Sequence, residues 1–199
     1  MTAVVLIFGS YLLGSVSFAV VVSRVLRLAD PRTYGSGNPG ATNVLRSGSR
    51  VAASLTLIGD AGKGALAVCL GRLVGGGGDL LPIACGAAAF AGHVFPVFLR
   101  FQGGKGVATF LGVLLAFEPW LGLACCCLWL MVALASRYSS LASLTAAVAA
   151  PILSAVLDGV GAKLAILVAI SVLLVWRHRS NIAKLRAGTE GRIGRTAST

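Results

Sequence analysis

A polar, glycine-rich segment, GSGNPGATNVLR at residues 35–46, stands between two long apolar runs. It offers hydroxyl, amide and guanidinium donors, from Ser36, Asn38, Thr42, Asn43 and Arg46. Glycines let a backbone approach a ligand closely, and a guanidinium can hold a phosphate with two parallel hydrogen bonds. This combination of residues favours the binding of an anion.

Two later segments carry groups of the same kind. Lys105 stands between glycines in GGKG, and His178 and Asn181 follow the last apolar block in RHRSN. The glycines around Lys105 have no use for a membrane anchor, which favours a functional role for this lysine. Taken singly, Arg46 and Arg177 could equally be anchors at a membrane surface, and a lone His178 would more often be interfacial than catalytic. The hypothesis of a site therefore depends on these groups meeting at one face.

Other polar residues favour structural roles. Asp60 and Lys63 in GDAGKG are three residues apart, so they can pair on one helix, and a structural pair is favoured over a substrate role. His93 in GHVFPVF is expected to be a packed histidine or a loop brace rather than a base. Neither lysine segment has P-loop spacing, no GxSxG motif is present, and the five cysteines are not spaced as a metal site.

The composition indicates which elements must position these groups. Of the 199 residues, 57% are hydrophobic and 12% are charged, whereas soluble domains carry about a quarter charged residues. The apolar residues form long uncharged blocks, which are typical of membrane helices, and a β-barrel would need short alternating segments instead. The sequence therefore predicts an all-α integral membrane protein. The net charge of +11 is interpreted as a topology signal and not as nucleic-acid binding.

Seven apolar blocks are predicted to form a seven-transmembrane-helix bundle, a single domain with a tail at 177–199. The blocks are residues 3–23, 51–74, 81–99, 107–117, 120–136, 141–157 and 162–176. At about 1.5 Å of rise per residue, the block 107–117 is too short to cross a bilayer core alone. We expect short or broken helices here, with two of them meeting at Pro119 rather than one span broken across it.

The distribution of charge predicts the orientation. If the first polar break is cytoplasmic, alternation of the spans puts fourteen of the seventeen cations on that side. They are Arg24, Arg27, Arg32, Arg46, Arg50, Arg100, Lys105, Arg137, Arg177, Arg179, Lys184, Arg186, Arg192 and Arg195. The other side receives Asp79, Glu118 and Asp158, with Lys163 as its nearby base. This bias predicts an N-terminus outside and a C-terminus in the cytoplasm.

The same alternation predicts a shared pocket. Segments 35–46, 103–106 and 137–143 fall on the cytoplasmic side, each just before a helix that runs outward. Helix N-termini carry unpaired amides and positive dipole ends, so three of them around one pocket would favour anions.

Four segments, in this order, resemble the bacterial acyl-phosphate:glycerol-3-phosphate acyltransferases, the PlsY family. They are GSGNPGATNVLR, GHVFPVFLRFQGGKGVAT, RYSSLASL and RHRSNIAKLRAGTE, within a resemblance that covers about residues 9–191. The resemblance implies a seven-helix enzyme of the bacterial inner membrane with its active site facing the cytoplasm. It would transfer the acyl group of an acyl phosphate to the sn-1 hydroxyl of glycerol 3-phosphate, giving lysophosphatidic acid and phosphate. We expect no metal or cofactor, no nucleic-acid partner, membrane lipid as surroundings and a functional monomer.

Carried over motif by motif, the resemblance implies two sets of site residues. The catalytic set is Ser36, Arg46, Lys105, Ser143, His178 and Asn181. The substrate-binding set is Gly37, Asn38, Gly40, Thr42, Asn43, Gly103 and Gly104. The chain departs from the family pattern at Ser17, Arg100, Gln102 and Lys184. Of these, Gln102 and Arg100 would redistribute positive charge at the mouth of the pocket without deleting it.

The implied reaction suits such a site. Two phosphates must be held close together, which requires fixed cations and oriented amides, and an acyl phosphate is already activated. The motif loops offer no carboxylate except Asp30 and Glu190, so we expect a substrate phosphate oxygen to take the proton, without an acyl-enzyme. The acyl chain is expected in a lipid-facing groove near Phe95 and Phe98 or near helix 107–117.

Two other classes of function are alternatives to this one. A basic pocket with short helices would also suit an anion transporter, but the polar groups cluster at one face and no internal repeat is evident. A non-catalytic scaffold would need basic anchors but would leave the segment GSGNPGATN without a purpose.

Overall fold

The computed structural model describes residues 1–194, and within that range ten α-helices and no β-strand are present. In chain order they are α1 (Thr2–Ser15), α2 (Phe18–Val25), α3 (Ala41–Val44), α4 (Arg50–Val74), α5 (Leu80–Val94), α6 (Val107–Phe117), α7 (Pro119–Ser136), α8 (Ser139–Asp158), α9 (Ala162–Arg177) and α10 (Arg179–Arg186). Two 3-10 turns, Leu45–Ser47 and Val97–Leu99, precede α4 and α6. The end of the predicted tail, with Arg195, lies outside the described residues. The predicted all-α class is confirmed.

Several helices are long and apolar enough to cross a membrane. By length and composition four segments of the described chain qualify, or five if α1 and α2 count as one bent span. The four are Arg50–Val74, Leu80–Leu99, Pro119–Ser136 and Ser139–Asp158. Their outer faces expose large apolar side chains such as Leu55, Ile58, Leu134 and Ile152. A surface of this kind suits lipid and not water. The number of spans, predicted as seven, stays a prediction, because α6 and α9 have 11 and 16 residues.

The junction of α6 and α7 has the predicted form. Helix α6 ends at Phe117, and α7 begins at Pro119, which occupies the first turn of that helix. Proline is tolerated there because the first helical amides have no acceptor within the helix. Two separate helices therefore meet at Pro119, as predicted, but only α6 is short, since α7 has 18 residues.

The block predicted at 3–23 is interrupted. Val16 and Ser17 are extended, and α1 and α2 meet at an angle of 45°. The ammonium group of Lys63 on α4 donates a hydrogen bond of 2.6 Å to the Val16 carbonyl at this break. The local sequence, Gly14-Ser15-Val16-Ser17, carries a glycine and two serines but no charge or proline. It was predicted as part of a continuous span, because the ammonium group that stabilises the break belongs to another helix.

Glycines allow two helix pairs to approach closely. At the α1–α5 crossing, a Cβ on Gly14 would lie 2.0 Å from the carbonyl oxygen of Ala89. At the α4–α6 crossing, a Cβ on Gly112 would lie 2.0 Å from the carbonyl oxygen of Ala61. Backbones in contact at such points are a common way of packing helices in a membrane. The first crossing packs α5 against α1 and the second packs α6 against α4, so each of the two helices that flank the Lys105 loop is seated against a neighbour.

Two short helices lie where the sequence predicted irregular segments. Helix α3 has four residues and is followed by the turn Leu45–Ser47 and by Gly48, which has a left-handed φ of 86°. Helix α4 then starts behind its own N-cap, where the Ser49 hydroxyl accepts the Ala52 amide at 3.1 Å. The first helix N-terminus in this region is thus that of α3, which lies inside segment 35–46, and the long α4 begins only after the segment ends. The other addition is α10, in the basic tail.

Candidate active site at one end of the bundle

Polar segments that are distant in sequence meet at one end of the bundle. The hydroxyls of Thr42, in α3, and Ser139, at the start of α8, are 3.2 Å apart. Lys105, in the loop before α6, donates a hydrogen bond to the side-chain oxygen of Asn181 in α10 at 2.5 Å. These two contacts join residues that are 97 and 76 positions apart in the chain. The Pro39 carbonyl, 3.1 Å from the position of a Cβ on Gly104, links the two pairs of segments. The structure therefore brings together the four segments that the sequence singled out.

Glu190 connects two of these segments and was noted in the sequence only as a tail carboxylate. Its oxygen Oε1 accepts a hydrogen bond from the Ser140 hydroxyl at 2.6 Å and another from the Asn181 amide nitrogen at 2.7 Å. With its nitrogen held by Glu190, the Asn181 amide turns its oxygen towards Lys105. The sequence offered no signal for this role, because the contacts arise only when the tail folds back onto α8.

Asn43 holds the first loop in shape. Its side-chain oxygen accepts the Ser36 amide at 2.9 Å, and its side-chain nitrogen donates to the carbonyls of Pro31 and Tyr34 at 2.7 and 3.2 Å. The residue is 3% exposed. Because both ends of its amide are engaged with backbone, Asn43 positions the loop and has little left to offer a substrate.

The tip of the same loop is open. Ser36 and Thr42 are exposed, while Asn38 is half-buried against Gly40, where a Cβ would lie 3.0 Å from the Asn38 amide nitrogen. Gly37 has a φ of 66°, a left-handed conformation that side chains disfavour. Among the predicted residues of this loop, the two hydroxyls are therefore the groups best placed to reach a bound anion.

The second loop is tightly seated against His93. A Cβ on Gly103 would lie 2.1 Å from the His93 carbonyl oxygen, and one on Gly104 would lie 2.2 Å from the imidazole Nε2. The Gly104 amide donates to the His93 carbonyl at 3.1 Å, and the Arg177 guanidinium donates to the Gly103 carbonyl at 2.8 Å. Only glycine fits at these two positions. The Gly104 amide points inward, so it is not available to a ligand.

Positive charge dominates around Lys105. The ammonium group is half-buried, and burial lowers the pKa of Lys105 to about 8. The charge of Glu190 opposes this pKa shift, and those of Lys184, Arg177 and Arg46 add to it. Within residues 1–194, Arg46 forms no ion pair. Four cations thus surround one carboxylate, an imbalance that a bound anion would relieve.

His178 is neutral in this environment. It is 2% exposed, and its Nδ1 lies 2.8 Å from the Leu174 carbonyl oxygen, which fixes the proton on Nδ1. Burial lowers the pKa of His178 to about 4, in spite of this hydrogen bond. The remaining nitrogen, Nε2, can then accept a hydrogen bond from a hydroxyl but cannot donate one to a phosphate oxygen.

Ser143 lies deeper than the other predicted residues. Its hydroxyl donates to the Ser139 carbonyl at 2.7 Å and accepts the Trp129 indole N–H at 3.1 Å. The residue is 2% exposed. Its proton is used within α8, so Ser139 and Ser140, one turn nearer the end of the bundle, make the contacts with the other segments.

The chain is similar to known proteins over nearly its whole length. A family model described as glycerol-3-phosphate acyltransferase matches residues 4–188. A glycerol-3-phosphate acyltransferase of Burkholderia pseudomallei is 61% identical over 193 residues, which cover 96% of this chain and 95% of that protein. One of Nitrosospira multiformis is 54% identical over 202 residues, which cover 100% of both.

The fold is similar to that of a protein solved by crystallography. That protein is PlsY (YgiH), an integral membrane glycerol 3-phosphate acyltransferase, solved in a glycerol 3-phosphate form and in a lysophosphatidic acid form. The two structures match with TM-scores of 0.91 and 0.89 at 38% identity. The alignment covers 98% of this chain and 96% of the solved one.

Proposed function

Because the chain belongs to the glycerol-3-phosphate acyltransferase family, we propose that it acylates the sn-1 hydroxyl of glycerol 3-phosphate with an acyl phosphate as donor. The products are lysophosphatidic acid and inorganic phosphate. The observation that carries this proposal is the excess of cations around Lys105, at the point where the four motif segments meet. Both substrates carry a phosphate, and a site with uncompensated positive charge favours holding two phosphates side by side.

The cations and hydroxyls have separate parts in this proposal. Lys105 and Arg46 hold the phosphates, with Ser36 and Thr42 as neutral donors at the tip of the first loop. Asn181 orients Lys105. Gly37, Asn38, Gly40, Asn43, Gly103 and Gly104 shape the backbone around them, and Ser143 supports the end of α8 from within the helix.

We propose direct acyl transfer. The sn-1 oxygen attacks the acyl carbonyl carbon, the new C–O bond forms, and the bond from that carbon to the bridging phosphate oxygen breaks. The hydroxyl proton passes to a phosphate oxygen. His178 Nε2 accepts a hydrogen bond from the hydroxyl and orients it, while a pKa of about 4 makes this histidine a poor general base at neutral pH.

The serines give no support to an acyl-enzyme. An activated serine needs a base within hydrogen-bond reach, and the Ser143 hydroxyl instead donates to a backbone carbonyl. Neither of the two histidines is followed by aspartate five positions later, as the HxxxxD box of other acyltransferases requires. Both observations favour an acyl phosphate as donor and a single transfer step.

We further propose that the chain works as a monomer in the bacterial inner membrane, with seven spans and the site end in the cytoplasm. The charge bias of the sequence supports this orientation. The acyl chain would lie against the exposed apolar side chains of Phe98 and Phe101, beside the Lys105 loop. Helix α6 is a poorer candidate than the sequence indicated, because none of its residues is exposed.

One assay tests the reaction. Purified protein in detergent or lipid, given radiolabelled glycerol 3-phosphate and palmitoyl phosphate, should form labelled lysophosphatidic acid, and palmitoyl-CoA should not replace the donor. Product with palmitoyl-CoA alone would contradict the proposed donor. Uptake of unchanged glycerol 3-phosphate into sealed vesicles, without product, would instead indicate a transporter. A trapped acyl-serine at Ser36 or Ser143 would contradict direct transfer.

A further inference from the structure

Three buried polar side chains lie next to the candidate site but outside it. Asp60, Lys63 and His93 are 1%, 3% and 7% exposed. One oxygen of the Asp60 carboxylate lies 2.8 Å from the Lys63 ammonium and 3.5 Å from the His93 Nδ1. This oxygen joins the middle of α4 to the end of α5. Buried charges within a membrane bundle are costly, so a cluster of this kind indicates a function.

On one side the cluster reaches the loop that carries Lys105. The His93 carbonyl accepts the Gly104 amide at 3.1 Å, and the imidazole Nε2 fills the space where a Gly104 Cβ would stand. The other neighbour of that space is the Pro39 carbonyl, 3.1 Å from the same Cβ position. The backbone next to Lys105 is therefore confined between the imidazole and the first motif loop.

On its other side the cluster reaches the break between α1 and α2. Lys63 donates to the Val16 carbonyl at 2.6 Å. The neighbouring Ser15 hydroxyl accepts the Val97 amide at 3.3 Å, at the turn that leads into the same loop. The three side chains thus support the loop from two sides. His93 contacts it from the end of α5, and Lys63 holds the end of α1, which contacts the turn before the loop.

We propose that Asp60, Lys63 and His93 are positioning residues for the substrate site, which set the place of the Gly103–Gly104 backbone and hence of Lys105. The inference rests on the proposed function in one respect, that this loop holds the phosphate of glycerol 3-phosphate. A shift of about 1 Å in a reacting or binding group can cost about a hundredfold in rate. Loss of any of the three side chains can therefore weaken substrate binding even though none of them contacts the substrate.

The variants follow from the contacts. His93→Leu removes both ring nitrogens, while His93→Asn puts an amide nitrogen near the place of Nδ1 and keeps a donor for Asp60. The double change Asp60→Asn with Lys63→Met removes both charges, since removal of one alone would leave the other buried without a partner. Asp158→Asn is the matched control, because Asp158 also pairs with a lysine, 2.9 Å away, but at the opposite end of the bundle.

Two quantities decide the outcome, the hydrogen-exchange rate of the segment 100–106 and the KM for glycerol 3-phosphate. With His93→Leu and with the double variant, we expect each to rise about tenfold, with the KM for palmitoyl phosphate unchanged. His93→Asn should recover most of the loss, and Asp158→Asn should change neither quantity. His93→Gln, which also loses the contact to Asp60, replaces His93→Leu if the latter does not fold.

A lower melting temperature with both quantities unchanged would show a purely structural cluster and overturn the inference. The two proposals can also fail separately. If the unaltered protein forms no lysophosphatidic acid from palmitoyl phosphate, the proposed donor is wrong. The exchange rate of segment 100–106 still decides whether the cluster positions the loop.

Discussion

The two ends of the helix bundle each carry a glycine-rich loop and a lysine, but in different surroundings. The site end has Gly103, Gly104 and Lys105, and the opposite end has the loop 75–78 and Lys163. At the site end, a Cβ on Gly104 would lie 2.2 Å from the His93 ring, whereas at the other end a Cβ on Gly78 would meet nothing closer than 3.8 Å. Lys105 has an amide oxygen as its hydrogen-bond partner. Lys163 lies 2.9 Å from the Asp158 carboxylate, with a second carboxylate at 3.9 Å.

This difference separates the Lys105 loop, for which we propose a role in substrate binding, from a connecting turn. At the opposite end, burial and the nearby Asp158 raise the pKa of Glu118, and Lys163 stands between the two acids, so its charge is compensated within the protein. At the site end the cations outnumber the acids, and the glycines are required by contacts. Gly104, where packing forbids a side chain, thus lies at the end where cations outnumber acids, whereas Gly78, which has room for one, lies at the end where the lysine is compensated.

The largest effect is expected from removing the uncompensated charges. Lys105→Ala and Arg46→Ala should each lower the rate of lysophosphatidic acid formation by about a hundredfold or more, because in the proposed reaction each removes a charge that holds the substrate phosphates and stabilises the phosphate that leaves. Expression in the membrane should be normal. Lys163→Ala, at the opposite end, should change the rate by less than about twofold. Similar losses for Lys105→Ala and Lys163→Ala would remove the distinction between the two ends.

The two glycine-rich loops should differ in whether they tolerate an added methyl group. Gly104→Ala would force the new Cβ into the His93 imidazole, at a cost of about 1–3 kcal/mol, and should raise the KM for glycerol 3-phosphate about tenfold. Gly78→Ala should leave both the KM and the melting temperature nearly unchanged, since the space there is open. Equal tolerance of the two variants would show that the site loop is not tightly seated.

The charge of Lys105 predicts a pH dependence at the site end. With a pKa of about 8 in the unliganded site, Lys105 is charged below that pH and loses its proton above it. The KM for glycerol 3-phosphate should therefore stay level from pH 7 to about 8 and then rise by about tenfold per pH unit. In Lys105→Arg, whose guanidinium stays charged, the residual activity should lack this rise. A rise that persists unchanged in Lys105→Arg would assign the titration to another group.

The smallest effect is expected from the acids of the opposite end. Asp158→Asn removes one of two carboxylates near Lys163, and both partners are partly exposed. The melting temperature should fall only slightly, because partly exposed pairs contribute about 0–1 kcal/mol. Kinetic constants should not change. A marked loss of activity in this variant would show that the two ends are coupled.

Much of the site could be read from the sequence because membrane helices alternate in direction. Alternation of the seven predicted spans puts the segments with Ser36, Lys105 and Asn181 on the same side, and the structure brings these segments together. The Asp60–Lys63 pair followed from its helical spacing, and it is present. These features depend on local patterns that a single sequence displays.

The remaining features depend on contacts between distant residues, which no local pattern encodes. The break at Val16 is stabilised by Lys63, 47 positions away. Glu190 acts on Asn181 only because the tail folds back, and Ser143 turned out to lie deeper than Ser140, which faces the site. In each case the residue type was visible in the sequence, and its partner was not.

The most direct test of the central claim is a structure of this protein with glycerol 3-phosphate bound. The phosphate should lie within hydrogen-bond reach of Lys105 Nζ and of the Arg46 guanidinium, with the sn-1 hydroxyl towards His178 Nε2. A phosphate bound away from Lys105, at the middle of the bundle or at the Lys163 end, would contradict the account.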